Sequence, residues 1–201
     1  GERGETDVFL RLVDSQGNPV GLIHRVNTHT SGVQKDPDIV RTANDQIMVV
    51  WSSEGQDGDG EGVYGQNFDL LGSPVGGPFR INQVTQGSQS RPSVSWGGAT
   101  GVVVWAGEIV LGKNSSGAPN MRRNILGRLL GENGPIGNEF TISRNDVVAL
   151  EGVVEFGLGG AFGVAWSQKD EAVPTNAENV YVRIFNEAGL PSGDPARLNP
   201  Y

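Results

Sequence analysis

An internal repeat is the feature that most constrains the fold of this chain. The segment DVFLRLVDSQGNPVG, which begins at Asp7, aligns at an offset of 55 residues with GVYGQNFDLLGSPVG, which begins at Gly62. Two further copies begin at Asn124 and Asn179. Self-similarity at a period of this length is typical of repeat proteins, in which each copy is one supersecondary unit that must stack on its neighbours.

Each copy has the pattern of several short β-strands. Three copies contain an apolar run that ends in tryptophan, at Trp51, Trp105 and Trp166. Turns rich in glycine and proline separate the runs, and glycine accounts for 31 of the 201 residues. Alternating short strands and turns predict an all-β fold. A four-stranded sheet that recurs every ~40–55 residues predicts the antiparallel blades of a β-propeller or partial propeller, and a β-sandwich built from the same strands is the alternative.

The repeat divides the chain, taken as a single repeat domain over residues 1–201, into unequal parts. Placing the innermost strand first gives blades at about 37–82, 92–143 and 150–199, and residues 8–27 form a half blade of two outer strands. Closed propellers have at least about four blades. We therefore expect a piece of a longer array or an assembly with other copies, in which the half blade exposes an apolar edge that includes Phe9 or Leu10 and promotes self-association.

Charge and composition exclude several classes of function. The formal net charge is −8, which disfavours nucleic acid and anionic membranes as partners. No stretch has the pattern of a membrane-inserted segment. The absence of cysteine excludes disulfides and thiolate chemistry. The two histidines, His24 and His29, match neither a zinc motif nor a Ser–His–Asp triad, so no catalytic residue and no organic cofactor is predicted.

The loop EGQDGDGEG carries the most specific local chemistry. Asp57, Asp59 and Glu61 alternate with glycines, which would allow the carboxylates to converge. Calcium binds six to eight oxygens, which acidic loops can supply. These three residues are therefore the predicted calcium ligands, and a solvated acidic hairpin is the alternative.

Several residue types recur at one position of the repeat. Gly65 and Gly127 share a position at which no side chain is expected to fit. Trp96 lies outside the tryptophan column and could stack on a sugar ring or pack in the core. A polar column is predicted either to bind an anion or sugar or, as its recurrence favours, to join neighbouring blades through backbone carbonyls; its members are Arg11, Gln66, Arg128 and Arg183.

The string VVWSSEGQDGDGEGVYGQNFDLLGSPVG, followed by FRIN, resembles the tandem repeats of large bacterial secreted and cell-surface proteins. The resemblance implies an exported protein, extracellular or on the cell surface, that serves as a non-catalytic binding or structural module. Together with the repeat and the acidic loop, it leads us to expect calcium-dependent adhesion, with other chains or repeats of the array and glycans as partners. The strand order also resembles that of sialidase-type propellers, although no S-x-D-x-G-x-x-W box is present.

The chain is accordingly predicted not to be an enzyme. A truncated propeller glycosidase or lyase is the alternative function. A polar pocket with paired carboxylates near the blade centre would distinguish the enzyme from the binding module.

Overall fold

The computed structural model describes residues 5–144, 148–169 and 178–199. These residues form fourteen β-strands and one 3₁₀ turn at Leu158–Gly160. The strands are β1 (Phe9–Val13), β2 (Pro19–Arg25), β3 (Gln34–Arg41), β4 (Ile47–Glu54), β5 (Glu61–Phe68), β6 (Pro74–Arg80), β7 (Gln89–Gly97), β8 (Thr100–Lys113), β9 (Pro119–Gly131), β10 (Gly134–Thr141), β11 (Val148–Phe156), β12 (Phe162–Lys169), β13 (Glu178–Phe185) and β14 (Ala196–Arg197).

The strands form four antiparallel sheets, each built from strands that are consecutive in the chain. β1 and β2 form the half blade, β3–β6 form blade 1, β7–β10 form blade 2 and β11–β14 form blade 3. The first strands of neighbouring blades lie against one another, and the N–H of Val94 in β7 donates to Asp38 Oδ2 in β3. The first strand of each blade is therefore the inner strand. The predicted all-β fold, with four-stranded blades of a partial propeller, is confirmed.

The apolar core lies between successive sheets, in three layers. The half blade and blade 1 enclose Leu10 and Trp51, and blades 1 and 2 enclose Val50 and Trp105. The third layer, between blades 2 and 3, includes Trp166. Three layers between four consecutive sheets are incompatible with the β-sandwich alternative, which has one core between two sheets.

The recurring tryptophans are core residues. Trp51, Trp105 and Trp166 are each no more than 2% exposed. The indole N–H of Trp105 donates to Gln89 Oε1 at 3.0 Å, which satisfies a polar atom that burial would otherwise leave without a partner. The remaining tryptophan, Trp96, is half-buried and packs against the layer between blades 1 and 2, as expected for a packing residue.

The turns of the β1–β2 and β5–β6 hairpins are stabilised in the same way, by an aspartate that accepts backbone N–H groups of the turn. Asp69 Oδ1 accepts the backbone N–H groups of Leu71 and Ser73, and Gly72 follows with a φ of +84°. A left-handed φ costs glycine little, which explains why glycine occupies this position of the repeat. In the half blade, the backbone N–H of Asn18 donates to Asp14 and holds the pKa of that carboxyl below its usual range.

The glycine at the repeat position of Gly65 and Gly127 makes room for a neighbouring strand. A Cβ on Gly65 would lie 2.8 Å from the Phe79 ring, and one on Gly127 would lie 2.9 Å from Ile142. The space is therefore filled by side chains of the adjacent outer strand, and the expected steric restriction is present.

The described part of the chain has no helix with the length and apolar character needed to cross a bilayer.

Candidate functional site

A cleft of about 730 Å³ lies beside the inner strands of the three blades. Its charged lining comes from Asp36 and Asp38 on β3, Arg91 on β7 and Glu151 on β11. β12 and β13 of blade 3 complete the wall. Because the inner strands meet here, residues about 55–60 positions apart in sequence become neighbours.

Two of these charged residues stand on β-bulges. The register of β3 against β4 shifts between Lys35 and Asp38, and that of β7 against β8 shifts between Ser90 and Ser93. Within the bulges, Asp36 has a φ of +52° and Arg91 a φ of +56°. A left-handed conformation costs a non-glycine residue ~1–3 kcal/mol, and such strain clusters at functional sites.

Hydrogen bonds hold the bulges together across the boundary between blades 1 and 2. The hydroxyl of Ser52, which is buried, donates to Asp36 Oδ2 at 3.3 Å and accepts the backbone N–H of Arg91 at 3.0 Å. Asp38 Oδ2 accepts the N–H of Val94 at 2.8 Å. Asp38 therefore serves to join β3 to β7. The Asp36 carboxylate accepts the hydroxyl of Ser52, and the same hydroxyl accepts the backbone N–H of Arg91 in the β7 bulge.

The other acidic side of the cleft is Glu151. Its Oε2 lies 3.6 Å from Arg91 Nη1, and the two side chains are 67% and 49% exposed. An ion pair this exposed contributes ~0–1 kcal/mol, so both groups can exchange this contact for a ligand at little cost. In the strand order β3–β7–β11, Asp36 and Glu151 lie on either side of Arg91, which provides two carboxylates and one cation in a single cleft.

The predicted calcium ligand Asp57 is bound to another part of blade 1. Its Oδ2 accepts a hydrogen bond from Asn82 Nδ2 at 2.9 Å. Asn27 makes the same kind of bond to Asp7 in the half blade. Asn27 and Asn82 occupy the same repeat position, so the asparagine at the end of the outer strand binds an aspartate in both sheets.

The other two carboxylates of the loop have separate partners. Asp59 Oδ2 accepts the N–H of Gly87 at 3.0 Å, and Glu61 Oε1 lies 2.6 Å from Lys35 Nζ. The hydrogen bond that Lys35 donates to Glu61 raises the pKa of Lys35 above its usual value. The described residues contain no group of three or more metal-ligating side chains. Calcium binding at Asp57, Asp59 and Glu61 stays a prediction, and it would require these bonds to be exchanged for metal ligation.

Two members of the polar column, Arg128 and Arg183, join neighbouring blades, which is the structural role that recurrence favoured. Gln66 instead donates to carbonyls within blade 1. Arg128 Nη1 in blade 2 donates to the carbonyl of Ile81 in blade 1 at 2.8 Å, and its Nε and Nη2 donate to Gly137. Arg183 in blade 3 repeats the contact with the carbonyl of Ile142 in blade 2. Burial lowers the pKa of Arg128 below its usual value.

Comparison with known proteins gives a likeness in fold. No protein-family model matches the chain, and no curated protein matches its sequence. An α-L-arabinofuranosidase from Lactobacillus brevis is similar in structure with a TM-score of 0.55 at 15% identity, over 83% of this chain and 53% of that one. An ulvan lyase, described as a new family of polysaccharide lyase, has a TM-score of 0.54 at 10% identity, over 90% and 47%. An α-L-arabinofuranosidase from Fusarium graminearum has a TM-score of 0.54 at 10% identity, over 97% and 68%.

At these identities the comparisons show a shared fold. This chain spans about half the length of the first two enzymes. Two predictions are nevertheless wrong: that the chain is a non-catalytic binding or structural module, and that it is not an enzyme. The similar structures are glycoside hydrolases and a polysaccharide lyase, which correspond to the alternative function instead.

None of the charged residues of the cleft is among the site residues predicted from the sequence. One signal was present in the repeat itself: Asp36 and Arg91 occupy the same position 55 residues apart, each before a proline, and carry opposite charges. Structural positions of a repeat tend to keep their residue type, whereas this one changes sign. Such a break in the repeat marks a candidate site.

Proposed function

We propose that this chain is part of a carbohydrate-active β-propeller and that the cleft is its saccharide-binding site, with hydrolysis of a glycosidic bond as the reaction. The observation that carries the proposal is the meeting of Asp36, Arg91 and Glu151 from three different blades in one cleft. The fold shared with arabinofuranosidases and a polysaccharide lyase supports it.

Hydrolysis of a glycoside requires two carboxyl groups. One protonates the leaving oxygen, and the other acts as a nucleophile or activates water. Asp36 and Glu151 are the candidate pair, because Asp38 is engaged by the backbone of β7. Arg91 would orient hydroxyl or carboxylate groups of the sugar through its planar set of N–H donors.

The presence of a second carboxyl group in the cleft favours hydrolysis, which uses two, over elimination. A lyase must abstract a proton next to a carboxylate, and enzymes use histidine, lysine, tyrosine or a carboxylate as the base. The described residues that line the cleft supply only carboxylates among these groups. Two carboxylates on opposite sides of one cation correspond to the acid and base of a hydrolase.

A polysaccharide assay tests the proposal. The chain is incubated with arabinan, ulvan and amylose, and the release of reducing ends is measured together with ultraviolet absorbance from unsaturated products. We expect reducing ends without unsaturated products, and a loss of ~100-fold or more in rate for Asp36→Asn and Glu151→Gln. Asparagine tolerates the left-handed backbone at position 36, so that variant should fold.

Asp194→Asn is the matched control, since Asp194 is exposed in the loop between β13 and β14, away from the cleft lining. Its rate should equal that of the unmodified chain. The proposal is overturned if none of the polysaccharides is cut, or if the two cleft variants retain the full rate. Unsaturated products that depend on Asp36 and Glu151 would replace hydrolysis with elimination at the same site.

We also retain the prediction of an extracellular or cell-surface location. Polysaccharides are large polymers that are degraded outside the cell, so the location agrees with the proposed substrate class. Fractionation of the producing cells tests it, and recovery of the protein only from the cytoplasm would contradict it.

A further inference from the structure

One face of blade 3 is exposed at positions that are buried in every preceding sheet. Asn199 accepts the N–H of Val180, as Asn82 accepts that of Val63 and Asn27 that of Val8, so these positions correspond. Val8 and Val63 are 4% and 0% exposed, whereas Val180 is 41% exposed. We call the face on which these valines lie the following face, because each sheet turns it toward the next sheet.

The end of the outer strand repeats this contrast. The N–H of Leu198 donates to the carbonyl of Val180, as that of Ile81 donates to Val63 and that of Ile142 to Ile125. Ile81 and Ile142 are fully buried, and Leu198 is 57% exposed. The following face of blade 3 therefore has the residues of an inter-blade contact, and none of the described strands packs against it.

The half blade exposes apolar side chains on its opposite face. On the face that it turns away from blade 1, Phe9 and Val13 are 60% and 61% exposed. Their repeat equivalents in blade 1, Tyr64 and Phe68, are buried against the half blade. Leu10, the other residue of the predicted apolar edge, is buried in that same layer. Phe9 and Val13 thus occupy the repeat positions of Tyr64 and Phe68, which cover the following face of the half blade.

A polar contact specifies how the two exposed faces correspond. Arg128 and Arg183 each donate to the carbonyl at the end of the preceding blade's outer strand, at Ile81 and Ile142. Arg11 is the equivalent residue of the half blade and is exposed. The carbonyl at the corresponding position is that of Leu198 in blade 3.

We propose that two copies of this chain associate head to tail, with the half blade of one copy on the following face of blade 3 of the second copy. Phe9 and Val13 cover Leu198 and Val180, of which Val180 also belongs to the wall of the cleft. Arg11 donates to the carbonyl of Leu198. The apolar part of this contact is formed three times inside the chain, and the arginine bond is formed twice. Since the half blade has only outer strands, it covers the outer half of blade 3. A contact between two different faces builds a ring or a filament.

Sedimentation velocity of the purified chain tests this arrangement. We expect concentration-dependent assembly of the unmodified chain in the micromolar range. Phe9→Asp and Leu198→Asp each alter an exposed residue, so both variants should fold and should be monomeric alone. A 1:1 mixture of the two should form a dimer and no larger species, because each variant keeps one functional face.

Further variants distinguish the proposed contact from non-specific association. Arg11→Met should raise the dissociation constant at least tenfold through loss of a charged hydrogen bond. Leu111→Asp, at an exposed residue of the β8–β9 hairpin, should assemble like the unmodified chain. The proposal is overturned if the unmodified chain is monomeric at 100-fold higher concentration than expected, or if Phe9→Asp still dimerises alone, which would indicate contact between two identical faces.

Discussion

Replacing Asn82 with alanine should destabilise the protein strongly, because this buried side chain joins the end of the outer strand of blade 1 to β5 and to the acidic loop. Asn82 is 1% exposed; its Oδ1 accepts the N–H of Val63, and its Nδ2 donates to Asp57 Oδ2 and to the carbonyl of Val84, each at 2.9 Å. Alanine leaves the N–H of Val63 buried without this partner, at a cost of ~1–3 kcal/mol, and removes a bond to a charged carboxylate.

We expect a total loss of about 2–4 kcal/mol for Asn82→Ala, since the contributions of such bonds are not additive. In a chain of 201 residues this corresponds to a decrease of roughly 5–15 °C in Tm. Asp57→Ala should cost less, because Asn82 keeps its two backbone partners. The double variant should then reveal a coupling energy of about 0.5–3 kcal/mol between the two side chains.

Urea unfolding in the presence of a calcium chelator measures these values. The chelator separates the effect of the Asn82–Asp57 hydrogen bond from any effect of calcium. Asn133→Ala is the control, since Asn133 is exposed in the β9–β10 turn, and it should change stability by less than ~0.5 kcal/mol. The reasoning is refuted if Asn82→Ala behaves like this control, or if the effects of Asn82→Ala and Asp57→Ala add without coupling.

Three further predictions concern the repeat and the acidic loop. Arg128→Lys should lower the free energy of unfolding by about 1–3 kcal/mol in urea melts, because lysine cannot donate to Ile81 and Gly137 together; an unchanged midpoint would contradict this. Gly65→Val should cost at least ~1–3 kcal/mol in the same assay, since its side chain would overlap the Phe79 ring, and a neutral effect would show that the ring moves freely. If calcium binds the acidic loop, millimolar calcium should raise Tm and Asp59→Ala should abolish the rise; an unchanged Tm removes the predicted site.

The fold was predictable from the sequence because its information is local and repeated. Short apolar runs that end in tryptophan recur along the chain, and the turn around Asp69 and Gly72 has the same chemistry in the half blade. Burial of the tryptophan column follows from the same periodicity. Such patterns predict a blade without any knowledge of distant contacts.

The candidate site was not predictable in the same way, because it depends on contacts between blades. Asp36 and Glu151 are 115 residues apart in sequence and line one cleft only because their inner strands both lie beside β7. The acidic loop shows the converse. Asp57 and Glu61 are close in sequence, yet partners from other segments hold them separately: Asn82 binds the first and Lys35 the second.

Mapping a bound oligosaccharide by NMR tests the central claim most directly. Backbone amide shifts are recorded while arabinan oligosaccharides are added to the isotopically labelled chain, with Asp36→Asn as a parallel sample. We expect saturable shifts concentrated in residues 36, 38, 91, 93 and 151–153, and weaker shifts in the variant. Shifts confined to the acidic loop or the outer strands, or no shifts at millimolar oligosaccharide, would contradict a saccharide site at the inner strands.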